Sequence, residues 1–177
     1  MANLPVPVPR TFSVSETETG SYMNTIRDAL NFLLNPPMFV GYQTSTQSVS
    51  NGTWTSMAID TTVIDSYGGH SNVTNNSRYT AQAAGWYLPV GVAAFTTNAT
   101  GGRGTRFAKN GTAIQGSASF DMAVSTNATA APGNSLAMFL NVGDYLEVQG
   151  YQTSGGSLST VSTSDIDSSF AVYWIHS

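Results

Sequence analysis

The chain has 177 residues, 41% of them hydrophobic and only 9% charged, with a net charge of −4 and no cysteine. That length supports a domain with a buried core, while the charged fraction lies far below the roughly 25% usual for soluble domains. The acidic balance argues against nucleic acid or an anionic membrane as partner, and the missing thiols exclude disulfides and cysteine-ligated metals.

The opening stretch, MANLPVPVPR, has no apolar run behind a basic cluster and does not read as a signal peptide. Pro5, Pro7 and Pro9 fix φ and remove donors, so LPVPVPRTF reads as an extended, polyproline-like arm reaching Phe12. SETETGSYMNTIRDALNFLLNPP is the one convincing helix. Met23, Ile26, Leu30, Leu33 and Leu34 recur at helical spacing and form an apolar stripe. Ser15, Thr17 and Thr19 offer N-caps, and Asn35 followed by Pro36 and Pro37 ends the helix. Residues 1–37 thus read as an arm plus helix, and residues 38–177 as a separate all-β unit.

After Met38 the pattern changes to short strands and turns. Strands are expected at 38–44, 54–59, 78–82, 86–97, 105–110, 117–126, 135–141, 144–154 and the terminal SSFAVYWIH, with a loop over 65–77. Asn51-Gly52, Ala84-Gly85 and Asn110-Gly111 mark turns. About eight to ten short strands of this kind imply an antiparallel sandwich or jelly roll.

The terminal strand is apolar on both faces. A half-buried strand alternates apolar and polar residues, because successive side chains point to opposite sides. Here Phe170, Val172 and Trp174 would occupy one face, and Ala171, Tyr173 and Ile175 the other.

Four stretches carry a resemblance: RYTAQAAGWYLPVGVAAF, RFAKNGT, LNVGDYLEVQGYQTSG and SSFAVYWI. In order and spacing, from about residue 38 to the end, they resemble the jelly-roll family of tumour necrosis factor (TNF) and the complement globular heads. The matching features are a Gly-aromatic-Tyr turn entering a buried strand, a basic hairpin with Asn-Gly, an L-x-x-G-D turn and the closing strand. The resemblance implies a TNF-like fold and a compact homotrimer, with the terminal strand near the threefold axis. One face of that strand would then pack in the core and the other against two neighbours. Tyr151, Phe170, Tyr173 and Ile175 are the candidate interface residues. The competing reading places the strand in the middle of a sandwich with a loop across its back.

A second resemblance concerns the first part of the chain. VPRTFSVSETETGSYMNTIRDALNFLLNPP resembles the start of structural proteins from tailed phages of actinobacteria, in which an arm and helix precede such a domain. It implies a minor capsid, decoration or fibre protein on the virion. Its anchor to the major capsid protein or another virion protein would be Pro5, Pro7, Pro9, Phe12 and the stripe Met23, Ile26, Leu30, Leu33 and Leu34. The alternative is a tail-fibre or receptor-binding module for host cell-surface saccharide, with Trp54, Tyr67 or Trp86 stacking on sugars. A secreted trimeric ligand is a third reading.

Chemistry is sparsely encoded. His70 stands in a loop and His176 is penultimate, and neither has a carboxylate or histidine at metal-motif spacing. Asp165 and Asp167 are close in sequence without the layout of a hydrolytic pair. No nucleophile elbow or phosphate loop occurs, so neither enzyme activity nor a cofactor or metal is expected. Arg103, Arg106 and Lys109 make up half of the six basic residues. They read either as a docking patch for an acidic partner or as a solvated hairpin that protects an edge strand. The six Asn-x-Ser/Thr triplets are what an Asn- and Thr-rich chain contains by chance.

Overall fold

The computed structural model describes residues 20–163 and 165–177. The proline arm with Pro5, Pro7, Pro9 and Phe12, and the expected N-caps, lie outside the described residues.

The helix α1 runs Gly20–Leu34 and stops ahead of Pro36 and Pro37, as expected from the restriction proline places on the residue before it. Everything after it is strand and turn: β1 (Met38–Tyr42), β2 (Ser48–Val49), β3 (Thr55–Ser56), β4 (Thr61–Asp65), β5 (Arg78–Thr80), β6 (Gly85–Phe95) and β7 (Gly102–Lys109). There follow β8 (Thr112–Ala113), β9 (Ser119–Met122), β10 (Thr129–Pro132), β11 (Met138–Leu140), β12 (Tyr145–Gln152), β13 (Leu158–Ser159) and β14 (Ser169–His176). The Asn110-Gly111 signal holds: both residues have positive φ, 51° and 77°, as a tight β7–β8 hairpin requires.

The strands form two antiparallel sheets. The first has the order β10–β6–β14–β1–β4, with β11 on the same edge of β6 as β10. The second has the order β3–β12–β7–β8, with β5 beside β12 and β9 beside β7. β2 and β13 pair separately. Pro89 interrupts the middle of β6, where a proline removes a ladder donor. It falls between the reach of β11, which ends at Tyr87, and that of β10, which begins at Val92. On that edge there is no ladder at residue 89 to break.

The core lies between the sheets and is built of aromatic rings. Phe39 of β1 stacks on Tyr79 (5.7 Å) and meets Phe170 of β14 edge-on (5.9 Å), while Phe107 of β7 stacks on Phe170 (6.3 Å). Tyr87 is buried beside Tyr79, and its hydroxyl donates to Ala83 O at 2.7 Å. Burial pushes the Tyr87 phenol up to about 12 and the Tyr79 phenol higher still, so both stay neutral. Phe32 of α1 seals one end of the sandwich, edge-on to Trp174 (4.9 Å) and to Tyr67 (6.1 Å).

Five strands depart from the sequence expectation. β4 falls between the expected strand at 54–59 and the loop at 65–77, and β2, β8, β10 and β13 likewise lie outside the expected ranges. All are short, and β4 and β10 are edge strands. Such strands bury too little to impose alternation on their residues.

Candidate functional site

Residues directly opposite each other in an antiparallel ladder project from the same face. The register therefore assembles the outward face of the first sheet row by row. Val40 lies opposite Ile64 on one side and Ala171 on the other, and Ala171 lies opposite Val90. Met38, Tyr173 and Leu88 form the next row. Tyr42, Ser169, Val92 and Pro132 form the row on the other side. Beyond these, Trp86 meets Phe139 of β11 edge-on at 6.1 Å. None of these positions holds Asp, Glu, Lys or Arg.

The face is open to solvent in the single chain. Val90 is 43% exposed, Trp86 43%, Phe139 42%, Ile175 48% and Tyr173 36%. An apolar surface of this continuity is uncommon on a monomer and marks an interaction surface. Among the described residues a loop reaches one end of it, where Thr163, Asp165 and Asp167 line a pocket with Tyr42, Val92 and Ser169, while Val90, Tyr173 and Trp86 stay exposed.

The candidate interface residues separate. Tyr173 and Ile175 stand on this face, as expected. Phe170 does not: it is 1% exposed and belongs to the core between Phe39 and Phe107. Its partners point inward because Phe170 shares the face of Val172, opposite in parity to Tyr173. Tyr151 is also misplaced. It lies on β12 of the second sheet, beside Trp54 and Phe120, on the far side of the sandwich. The residues that the sequence reading missed are Leu88, Val90 and Val92, together with Trp86, read there as entering a core strand or stacking on a sugar. β6 carries the same two-sided apolar signal as β14, with Tyr87, Pro89 and Ala93 alternating on the other face.

The helix stripe is exposed as well. Leu30, Leu33 and Leu34 face solvent, with Leu34 83% exposed, and Met23 and Ile26 accompany them. What α1 buries is Phe32 and Tyr22.

The three basic residues do not form one patch. Arg103 is fully buried at the end of the sandwich. Its guanidinium donates to Asn98 O (3.0 Å), Thr100 O (3.0 Å) and Gly102 O (2.9 Å), tying down the β6–β7 loop. Arg106 donates through Nε to Gln149 Oε1 at 2.7 Å and lies over the Trp54 ring at 4.3 Å. Lys109 donates to Phe139 O and pairs with Asp144, both at 2.9 Å. The Asn110 amide, Lys109 and the Asn141 N–H hold the Asp144 carboxyl far below the usual range. Strand parity separates the three: Arg106 points opposite to Arg103 and Lys109. Arg103→Ala is expected to lower stability by about 2–3 kcal/mol, read from the urea midpoint, because three carbonyls lose a charged donor.

The remaining polar groups close turns. His70 Nδ1 lies 2.7 Å from Arg78 O and Nε2 3.0 Å from Ile59 O, with the ring 4.4 Å from Phe39. Asp65 accepts from the Gly69 and His70 N–H groups (3.1 and 2.8 Å). Asp165 and Asp167 both accept from Thr163, at 3.2 and 3.0 Å, and cap its turn. Asp60 accepts from Thr44 and Ser45; burial raises its carboxyl, but these bonds outweigh that and bring it to about 2. Asp60, Asp65, Asp165 and Asp167 are thus committed to backbone or hydroxyl donors.

No protein-family model matches the chain, and no curated protein matches it. Solved structures do. Murine APRIL at pH 5.0 superposes with a TM-score of 0.57 at 11% identity, over 78% of this chain and 98% of that one. Murine APRIL at pH 8.5 gives the same TM-score and coverage at 13% identity. Eiger TNF from S. frugiperda gives 0.51 at 14% identity, over 78% of this chain and 90% of that one. The likeness is one of fold: the β unit is a TNF-like jelly roll, as the motifs implied.

Proposed function

We propose that the protein is a non-enzymatic structural component of a virion, a homotrimeric jelly roll that decorates the capsid. Subunits join through the outward face of the first sheet, and the trimer docks on the major capsid protein or a neighbouring virion protein through the arm and the helix stripe. The observation that carries the reading is the presence of two uncovered apolar surfaces, one on the sheet and one on α1, in a chain with few charges. Burying large apolar side chains contributes roughly 1.5–3 kcal/mol each, enough across several copies to overcome the entropy of association. The threefold stoichiometry comes from the resemblance to the TNF family, and the virion setting from the resemblance of the first thirty or so residues to phage structural proteins.

The anchor is tested by replacing Leu30, Leu33 and Leu34 together with serine and measuring co-sedimentation with particles lacking the protein. These side chains touch solvent, so fold and oligomer should survive. Deleting the whole segment is a poorer test, because it would uncover Trp174 and Tyr67 beneath Phe32. Binding should fall by roughly tenfold or more; undiminished binding overturns the anchor.

A second reading, a module for host saccharide, is favoured by one observation. Trp54, Tyr151 and Phe120 form an aromatic cluster on the opposite face of the sandwich, where a trimer built through the first sheet leaves it accessible.

A further inference from the structure

The second sheet turns outward a surface unlike that of the first. Trp54, just before β3, sits 5.0 Å from Tyr151 of β12 at a tilt of 35°. Phe120 of β9 meets both rings, at 5.8 Å from each. Phe120 remains 59% exposed, although its ring lies across the backbone of β7 at Gly104. A Cβ at Gly104 would come within 2.6 Å of that ring, so only glycine leaves room for it.

Polar atoms border the rings and are not used internally. Arg106 covers Trp54 and spends only Nε, on Gln149, so both of its terminal nitrogens have no partner among the described residues. The Trp54 indole N–H and the Tyr151 hydroxyl are likewise without partners there. The site thus offers a cluster of tilted and edge-on aromatic rings bordered by donors.

From this geometry we infer that Trp54, Phe120, Tyr151 and Arg106 form a binding platform for a saccharide. A pyranose presents an apolar face of C–H groups and an equatorial rim of hydroxyls. It therefore needs an aromatic surface beside donors that can reach the rim, which is the combination found here. A nucleic-acid strand would also stack, but it needs a basic groove along its phosphates. The net charge of −4, the capture of Arg103 by its own loop and that of Lys109 by Asp144 and Phe139 O leave none. The inference deepens the saccharide-module reading and does not depend on capsid docking. In a trimer joined through the first sheet, each platform faces away from its neighbours.

The test is a printed oligosaccharide array, followed by titration of the full chain with the best-binding glycan and with chitotetraose, monitored by tryptophan fluorescence. Saturable binding is expected for wild type. Trp54→Ala and Phe120→Ala should each weaken it by roughly tenfold or more, with the urea midpoint little changed. Trp54→Phe should retain most of the affinity and lose the fluorescence change. Gly104→Ala should weaken binding by displacing Phe120. Absence of saturable binding to every glycan at millimolar concentration overturns the inference, as does binding that survives Trp54→Ala and Phe120→Ala. Assembly beyond the trimer that Phe120→Ala abolishes would also overturn it, by making a second copy the occupant. Loss of the trimer by substitution on the first sheet would leave this result unchanged, so the two readings fail separately.

Discussion

Val90→Glu should turn the proposed trimer into single subunits of 18.6 kDa at micromolar concentration, read by analytical ultracentrifugation. Val90 sits at the middle of the outward face, opposite Ala171 and flanked by Leu88 and Val92 on its own strand. In the single chain it is 43% exposed, so a glutamate there can stay hydrated, and monomer stability should change by less than about 1 kcal/mol. In the trimer the same carboxylate would be stripped of water among valine and tyrosine side chains with no cation nearby. The effective penalty of burying an unpaired charge is of order several kcal/mol per copy, and a symmetric assembly meets it three times. A variant that remains trimeric would show that subunits join through some other surface. A wild-type chain that sediments as a single subunit would remove the assembly reading altogether.

The second large effect separates the core from that face. Phe170→Ala is expected to lower the stability of the single subunit by about 3–5 kcal/mol, measured by urea unfolding in the Val90→Glu background. Phe170 is 1% exposed and contacts both layers through Phe39 and Phe107, so truncation leaves a cavity between sheets that cannot collapse around it. Tyr173→Ala in the same background should cost less than about 1 kcal/mol, since Tyr173 has no neighbouring layer in the single chain. If the two costs came out equal, the assignment of inward and outward faces of β14 would be wrong. Working in the dissociated background matters, because in the proposed trimer both residues would be buried and both would register.

Much of the architecture was legible beforehand for local reasons. The helix ends where Pro36 and Pro37 forbid its continuation, and the β7–β8 hairpin turns at Asn110-Gly111 because those residues tolerate positive φ. The apolar residues on both faces of SSFAVYWIHS announced a strand that needs two partners. Other features had no local signature. Arg103, in GGRGTRFAKN, looks like a solvated hairpin residue, and its burial depends on carbonyls at Asn98 and Thr100 curling back over the end of β7. The helix stripe illustrates the same limit. Periodicity identifies residues that share a face, yet here the fold buried the opposite side, through Phe32, because Trp174 and Tyr67 supply an aromatic socket for it.

The sequence by itself determined that strands follow a helix, that turns fall at particular glycines, and that few charges exist to keep surfaces apart. Period-two geometry also dictated that Phe170 and Val172 oppose Tyr173 and Ile175. Only the tertiary structure decided which set turned inward. β14 is held between β6 and β1, and across the sandwich from it Phe107 reaches Phe170, so one face gains a second layer and the other gains none. Alternation along a strand is a local property; what lies across a sandwich depends on residues far away in the chain, and no short stretch can encode that.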